Sequence, residues 1–260
     1  MVEGVLLDID GVLTVSWEPL TGAVETVGSL TEQGIEFRLV TNTSSRSRRE
    51  IAALLDRAGM PIDEDRILTA VTSAARYLVE NHRGARCLVV NQGDLSGDLQ
   101  GVELADAGSA EVVLLGGAGP DIGYDALNAV FRLALDGVPT VALHRNARYQ
   151  TAEGPALDMG AFIVGIEAAA GVEIPVVGKP AAAFFRAAAA DLGIETSHTI
   201  MVGDDVDADV LGAQRVGMTG VLVKTGKFLP ADLEGDGPAP DHVIDDVGRL
   251  PELLRQLNPQ

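Results

Sequence analysis

The sequence predicts an α/β protein built on a parallel sheet. Three observations carry that expectation. Short, nearly continuous apolar runs such as GVLLD recur along the chain, longer amphipathic stretches alternate with them, and many of those stretches stop at a glycine. A strand covered by helices on both faces has no solvent side, so its residues are apolar without alternation.

The elements follow in order. GVLLDID (4–10) is a strand ended by acids. Residues 22–33 set Val24, Val27 and Leu30 at helical spacing, and Gly34 stops that helix. IEFRLVT (35–41) is a second strand, RREIAALLDRAG (48–59) a helix ending in Gly59, and 69–80 a further helix. A second α/β set then begins. RCLVV (86–90) and EVVLL (111–115) are strands, 124–137 a helix with a glycine stop, PTVAL (139–143) a strand and 159–171 a helix. IPVVG (174–178) leads into Lys179–Pro180, and 180–193 is a helix with Pro180 at its first position. HTIMVGD (198–204) is a strand, 207–217 a helix, 219–226 a strand, 230–240 a surface loop, 241–245 a last strand and 246–257 a last helix. No internal repeat or low-complexity tract interrupts the pattern.

Composition narrows the class. The chain has 260 residues, 47% hydrophobic, enough for one large domain or two modest ones and too apolar for disorder. No apolar run approaches the roughly 18 residues a membrane span needs, so no membrane partner is expected. The start, MVEGVLLDID, lacks a basic segment and carries acids, which does not read as a signal peptide. A single cysteine, Cys87, excludes an intrachain disulfide and a Cys-rich metal site. The four histidines (82, 144, 198, 242) have no helical pairing and are not expected to bind metal. Trp17 and Cys87 read as packing residues. A soluble, cytoplasmic protein is the expectation.

The formal net charge is −19, so nucleic acid, which requires a basic face, is not an expected partner. The bases are 16 Arg and 3 Lys: Lys179, Lys224 and Lys227. Such a surface suits a cytoplasm at high salt, where self-repulsion is screened; a merely acidic protein from a GC-rich genome is the alternative. The first reading predicts that the thermal midpoint climbs by about 5 °C or more in molar KCl. A melting curve that does not move with salt rejects it.

Four motifs carry chemistry. Asp8-Ile9-Asp10-Gly11-Val12-Leu13 sets two carboxylates at the end of the first strand, where open parallel sheets bind ligands. In an extended chain they point the same way, and Gly11 permits a sharp turn behind them. One carboxylate suits a nucleophile and the other an acid/base; alone, the pattern is also that of a strand ending in solvated acids. Leu39-Val40-Thr41-Asn42-Thr43 ends a strand in a hydroxyl and an amide, donors for phosphate oxygens or a plain turn. Gly178-Lys179-Pro180 offers an ammonium just before a helix, fit to neutralise phosphoryl charge or to sit solvated in a loop. Gly203-Asp204-Asp205-Val206-Asp207-Ala208-Asp209 crowds four acids at a helix start. Capping and the helix dipole account for one or two of them; the rest repel unless a cation such as Mg²⁺ sits among them. The ordered set, each motif at a strand's carboxyl edge, points to one phosphoryl-transfer site.

These motifs resemble those of the haloacid dehalogenase superfamily of phosphatases. The long stretch between Asn42 and Lys179 resembles subclass IIA, the NagD-like branch, which carries an α/β cap there. The segments FRLALDGVPTVALHRNARY (131–149), GPALDMGAFIVGIEAA (154–169), VVGKPAAAFF (176–185), GDDVDADVLGAQRVGM (203–218) and LVKTGKF (222–228) are similar to the phospholysine phosphohistidine inorganic pyrophosphate phosphatase group and its hydrolase relatives. Some members of that group have Ser where this chain has Asp10.

The resemblance implies a Rossmann-like parallel-sheet core (1–78 and 176–260) with an inserted α/β cap (79–175), hinged near Asn81–Gly84 and Glu173–Val177. It implies Asp8 as nucleophile and Asp10 as acid/base, with Mg²⁺ on the Asp8 carboxylate, the Asp10 carbonyl and the Asp204 carboxylate. Thr41, Asn42 and Lys179 would hold phosphoryl oxygens. Asp205 and Asp209 would orient metal waters or Lys179, and Asp207 would face solvent or cap. A closing cap excludes water and supplies substrate contacts. Thr151–Gly160 is the cap segment expected to face the leaving group, with Asp158 and Met159 lining the pocket, or Asp158 capping the helix that starts near Met159. Cap-mediated dimers are common in this branch, so a homodimer is an expectation. The implied function is Mg²⁺-dependent hydrolysis of a small phosphate ester or anhydride through an aspartyl-phosphate. Phosphohistidine, phospholysine or inorganic pyrophosphate is the alternative substrate. A non-catalytic phospholigand-binding module is the alternative of another class, opposed by the intact Asp8, Asp10, Lys179 and Asp204.

Overall fold

Six strands form the larger sheet, in the spatial order His242–Ile244, Thr219–Val223, Thr199–Gly203, Gly4–Asp8, Glu36–Thr41 and Ile67–Thr69. Gly4–Asp8 lies near the middle and pairs in parallel with both neighbours, Leu7 opposite Val202 on one side and Leu39 on the other. Every residue of that strand is buried. Its side chains alternate between two apolar layers: Val5 and Leu7 join Phe37, Ile51 and Leu250, whereas Leu6 joins Val40, Phe184 and Phe185. That two-sided burial is why the strand is apolar without alternation.

The computed structural model describes residues 1–151, 154–234 and 237–259. The chain divides into two units, 1–41, 48–68 and 179–260 forming the first, 42–47 and 69–178 the second. The first holds the six-stranded sheet. In the second, four strands run in the order Glu103–Leu104, Arg86–Val90, Val112–Leu115 and Thr140–Ala142, with parallel pairing throughout. One layer of its core joins Ala70, Val71, Ala74 and Leu78 to Cys87 and Leu114; the other joins Val113 and Leu115 to Val130, Met159 and Ile163. An antiparallel hairpin, Arg148–Thr151 with Gly154–Leu157, completes it. The mixed α/β architecture with a central parallel sheet agrees with the fold class expected from the sequence. No helix among the described residues is long and apolar enough to cross a membrane.

The compact units part at 68/69 and 178/179. The reason is the helix Ala70–Asn81, whose buried face belongs to the second core. Two expectations about single elements are corrected. The helix after Lys179 runs Ala182–Leu192 with Ala181 at its N-cap, so Pro180 precedes it. The expected helix over 207–217 is a π-type turn, Val206–Leu211, followed by the short helix Gly212–Gln214. In the expected loop 230–240, Pro230–Leu233 forms a 3₁₀ turn, and Gly235 and Asp236 lie outside the described residues. Trp17 packs against the first unit's apolar core and Cys87 is buried, as read from the sequence.

Candidate active site

The first unit gathers the acidic motifs at the carboxyl edge of its sheet. Asp8 ends the buried strand. Behind it the chain doubles back: the Leu13 and Thr14 N–H groups both donate to the Ile9 carbonyl, and the Gly11 N–H donates to the Thr14 carbonyl at 2.7 Å. Gly11 sits at φ 90°, in the left-handed region. A β-carbon there would run into the Asp204 carboxylate and the Gly226 backbone, so glycine is required both by the turn and by the closeness of the acid. The Thr225 hydroxyl donates to the Gly11 carbonyl, tying in the segment after Thr219–Val223.

Asp204 follows Thr199–Gly203, the strand beside Gly4–Asp8. The π-type turn then delivers Asp209. In it the Val210 N–H reaches back five residues to the Asp205 carbonyl, and the widened turn lets Asp209 Oδ2 accept from the Asp205 N–H at 3.3 Å. Such turns recur at functional sites. Asp205 supplies the N-cap, its Oδ1 accepting from the Ala208 N–H at 2.9 Å, and Asp207 is exposed.

Lys179 binds the set together. Its Nζ lies 2.8 Å from Asp8 Oδ1 and 2.6 Å from Asp209 Oδ1, and it is only 4% exposed. Carboxylate oxygens of Asp8, Asp204 and Asp209 all fall within 4.8 Å of one another. Two of these three buried carboxylates, Asp8 and Asp209, thus share one buried ammonium. Burial pushes the Asp204 carboxyl up to about 6 against the pull of Lys227, and the Asp209 carboxyl up to about 6 against the pull of Lys179. The Asp8 carboxyl is also raised, by burial and by Asp204, although Lys179 opposes both. For Lys179 burial works to lower the ammonium, but Asp209 and Asp8 outweigh it and hold it protonated. Asp10 is exposed; desolvation by its surroundings raises its carboxyl, against the pull of Lys227 and then Lys179.

The excess negative charge makes this the candidate cation site. Asp204 Oδ2 accepts from the Lys227 N–H at 2.7 Å, but Asp204 Oδ1 is buried with no hydrogen-bond partner. A buried carboxylate oxygen rarely stands alone. An orphaned oxygen among convergent carboxylates fits a hard divalent ion such as Mg²⁺, which takes oxygen ligands. The convergent carboxylates are those of Asp8, Asp204 and Asp209; the side chain of Asp10 is not among them.

The other expected residues stand as follows. Thr41 is buried at the end of Glu36–Thr41, the neighbouring strand, in which Val40 pairs with Asp8. Asn42 opens the stretch 42–47 that groups with the second unit. There the Asn91 side-chain amide donates to the Ser44 carbonyl at 2.9 Å, and Ser44 Oγ lies 3.4 Å from His144 Nε2. Asp158 caps the helix Met159–Ala170: its Oδ1 accepts from the N–H groups of Met159 (2.7 Å) and Ala118 (2.9 Å). Met159 is fully buried in the second core. Asp158 Oδ2 lies 3.9 Å from His144 Nδ1, and the site proposed below includes neither Asp158 nor Met159. Within Thr151–Gly160, Ala152 and Glu153 lie outside the described residues.

Lys227 was not among the expected site residues. Its backbone fixes Asp204, and its ammonium, on a 57% exposed side chain, lies 3.5 Å from Asp205 Oδ2. A signal was available: one of only three lysines follows Thr-Gly directly after a strand.

Family models match twice, one described as haloacid dehalogenase-like hydrolase over residues 5–105 and one as HAD-hydrolase-like over 176–250. Haloacid dehalogenase-like hydrolase domain-containing protein 2 of Bos taurus is 38% identical over 239 residues, covering 92% of this chain and 90% of its own. Phospholysine phosphohistidine inorganic pyrophosphate phosphatase of Rattus norvegicus is 34% identical over 262 residues, 98% of this chain and 95% of its own. Among solved structures, the p-nitrophenyl phosphatase from Archaeoglobus fulgidus superposes with a TM-score of 0.88 at 30% identity, covering 96% of this chain and 98% of that one.

Proposed function

We propose, for a chain that belongs to the haloacid dehalogenase-like hydrolase family and is a phosphatase, that it hydrolyses a small phosphate monoester or phosphoanhydride through an aspartyl-phosphate on Asp8. The observation that carries this reading is the convergence of the Asp8, Asp204 and Asp209 carboxylates, with Lys179 held between Asp8 and Asp209 and one Asp204 oxygen left without a hydrogen-bond partner. A phosphate dianion does not approach three carboxylates unaided, and one ammonium does not offset them. Asp8, Asp204 and the Asp10 carbonyl are the groups proposed to hold Mg²⁺, with Asp209 orienting Lys179 and Asp205 capping the turn that carries Asp209. When bound, the ion supplies the charge that lets anionic nucleophile and anionic substrate meet.

The remaining steps belong to the chain's own residues. An Asp8 oxygen attacks phosphorus as the bond to the leaving oxygen breaks, and the electron pair of that bond goes to the leaving oxygen. Asp10, protonated for this step, gives its proton to that oxygen. Its raised carboxyl suits the task, since it favours the protonated form. Asp10 then takes a proton from water, whose oxygen attacks phosphorus and frees Asp8. The Thr41 hydroxyl, the Asn42 N–H and the Lys179 ammonium are proposed to hold the phosphoryl oxygens. The inserted unit is proposed as the cap that chooses the substrate. The rat relative's name raises phosphohistidine, phospholysine and inorganic pyrophosphate as substrates, and its 34% identity favours testing all three.

The test joins activity to a binding readout. Hydrolysis of p-nitrophenyl phosphate should need Mg²⁺ and stop in EDTA. In the absence of substrate, saturating Mg²⁺ should stabilise the protein by about 2 to 3 kcal/mol, or about 5 °C in the midpoint, and Asp204→Asn should abolish that shift. Metal-independent turnover, or an unchanged Mg²⁺ shift in Asp204→Asn, removes the ion from this position.

A further inference from the structure

We infer that Asn91 is a positioning residue for the reaction, fixing the stretch 42–47 so that the Asn42 N–H is held ready for a phosphoryl oxygen; this rests on the proposed function above. Residues 42–47 form no helix or strand, so contacts with other segments set the path of their backbone. The Asn91 amide supplies such contacts. Its Nδ2 donates to the Ser44 carbonyl at 2.9 Å and to the Gln92 carbonyl at 2.6 Å, while its Oδ1 accepts from the Gly117 N–H at 2.7 Å. One side chain thus ties two distant segments to its own. Ser44 is buried and held a second time, its Oγ 3.4 Å from His144 Nε2.

The place of these residues in the fold gives the contacts their purpose. Asn91 follows the strand Arg86–Val90, Gly116 and Gly117 follow Val112–Leu115, and Leu143 and His144 follow Thr140–Ala142. These are the carboxyl ends of three parallel strands, the edge at which open α/β sheets hold ligands. In this unit that edge holds a piece of the chain itself. The approach is close: a β-carbon on Gly116 would overlap the Asn91 side chain, and one on Gly117 would press on Ser44 Oγ. Asn42 lies at the same edge, where a β-carbon on Gly178 would meet both Asn42 Oδ1 and the Leu143 carbonyl. The Gly178 N–H donates to that carbonyl at 3.1 Å. Asn42 and Gly178 directly adjoin Thr41 and Lys179 in the chain, so the neighbours of two proposed phosphoryl ligands rest together. Only Thr43 separates Asn42 from Ser44. Releasing the Ser44 carbonyl would therefore let the Asn42 N–H turn away from the oxygen it is proposed to hold, and small misplacements of such groups are costly. Asn91 acts through Ser44 and Asn42, not by touching the substrate.

The probes are p-nitrophenyl phosphate as substrate and inorganic phosphate as competitor, both with Mg²⁺. Asn91→Asp keeps the shape and the acceptor for the Gly117 N–H but turns a carboxylate oxygen toward the Ser44 carbonyl. Asn91→Ala removes both contacts without adding charge. Each variant should raise KM and the inhibition constant of phosphate roughly tenfold while changing kcat by less than about twofold, the pattern of binding lost equally from ground and transition states. The Mg²⁺-induced rise in the thermal midpoint, measured without substrate, should stay at its native size, because Asp8 and Asp204 belong to the other unit. A native phosphate constant in both variants, a loss confined to kcat, or a Mg²⁺ shift lost along with phosphate binding overturns the inference. Two variants that no longer melt as folded proteins overturn it as well, since Asn91 would then serve the fold and not the site. In each of those cases Mg²⁺-dependent turnover by the native enzyme leaves the phosphatase mechanism intact. A native enzyme without that turnover defeats the proposed function and this inference together.

Discussion

Replacing Asp8 with asparagine is expected to lower kcat by roughly 10⁴-fold or more, with the thermal midpoint unchanged or raised. The two halves of that expectation come from one feature. Asp8 is a buried carboxylate that burial and Asp204 push toward protonation, against Lys179. Its ionised form is therefore held at a cost to the fold, as reactive groups often are. An amide of the same size removes one of three crowded negative charges and leaves Asp209 paired to Lys179. It cannot, however, form the acyl phosphate. Acid-quenched mass spectrometry during turnover should find one added HPO₃ on the native peptide that holds Asp8 and none in the variant. Asp10→Asn should slow turnover and let that adduct accumulate, since the water step loses its base. Substantial turnover by Asp8→Asn, or an adduct on another residue, sinks the nucleophile assignment.

Much of this arrangement could be read from the chain, for reasons that particular residues make plain. Buried strands announced themselves, because GVLLD and TIMVG have no polar face to hide. The glycines at 34, 59, 137 and 171 marked helix ends, because left-handed backbone follows a helix and glycine adopts it freely. Lys179 and Asp209 lie far apart in sequence, yet both belong to motifs that end at one sheet edge. What stayed hidden was short or local. The hairpin Thr14–Val15 with Glu18–Pro19 turns through Ser16 and Trp17, both left-handed, without the Asn-Gly pair that usually signals such a turn. The edge strand Ile67–Thr69 is too short to show a period. The π-type turn cannot be told from a helix by apolar spacing, because it differs by one residue in hydrogen-bond register. Helix Ala70–Asn81 was visible, but its allegiance was not: only packing shows which core its buried face joins.

The largest stability effect should come from Lys179→Met, measured in EDTA. Methionine matches lysine closely in volume, so little of the loss would come from a cavity. The loss comes from charge. Lys179 is the ammonium within 3 Å of Asp8 and Asp209, and without it two buried carboxylates keep no cation at contact distance among the described residues. Breaking a buried pair from one side costs about 3 to 5 kcal/mol. The pH dependence fixes the cause. Asp204 and Asp209 already sit near 6, above their ordinary unfolded range near 4. A raised acid contributes stability that is present below its unfolded value and lost as pH rises through its folded one. Removing Lys179 raises Asp209 and Asp8 further, because the cation that lowered both is gone, so the window of loss extends upward from about pH 4 through neutrality. The variant should therefore melt far below the native protein at pH 7.5 and much closer to it at pH 5. Adding Asp209→Asn should recover part of the loss, with a coupling of about 1 to 3 kcal/mol between the two sites. A deficit that is the same at both pH values, with no recovery in the double variant, would mean that Lys179 stabilises by packing rather than by neutralising its acids.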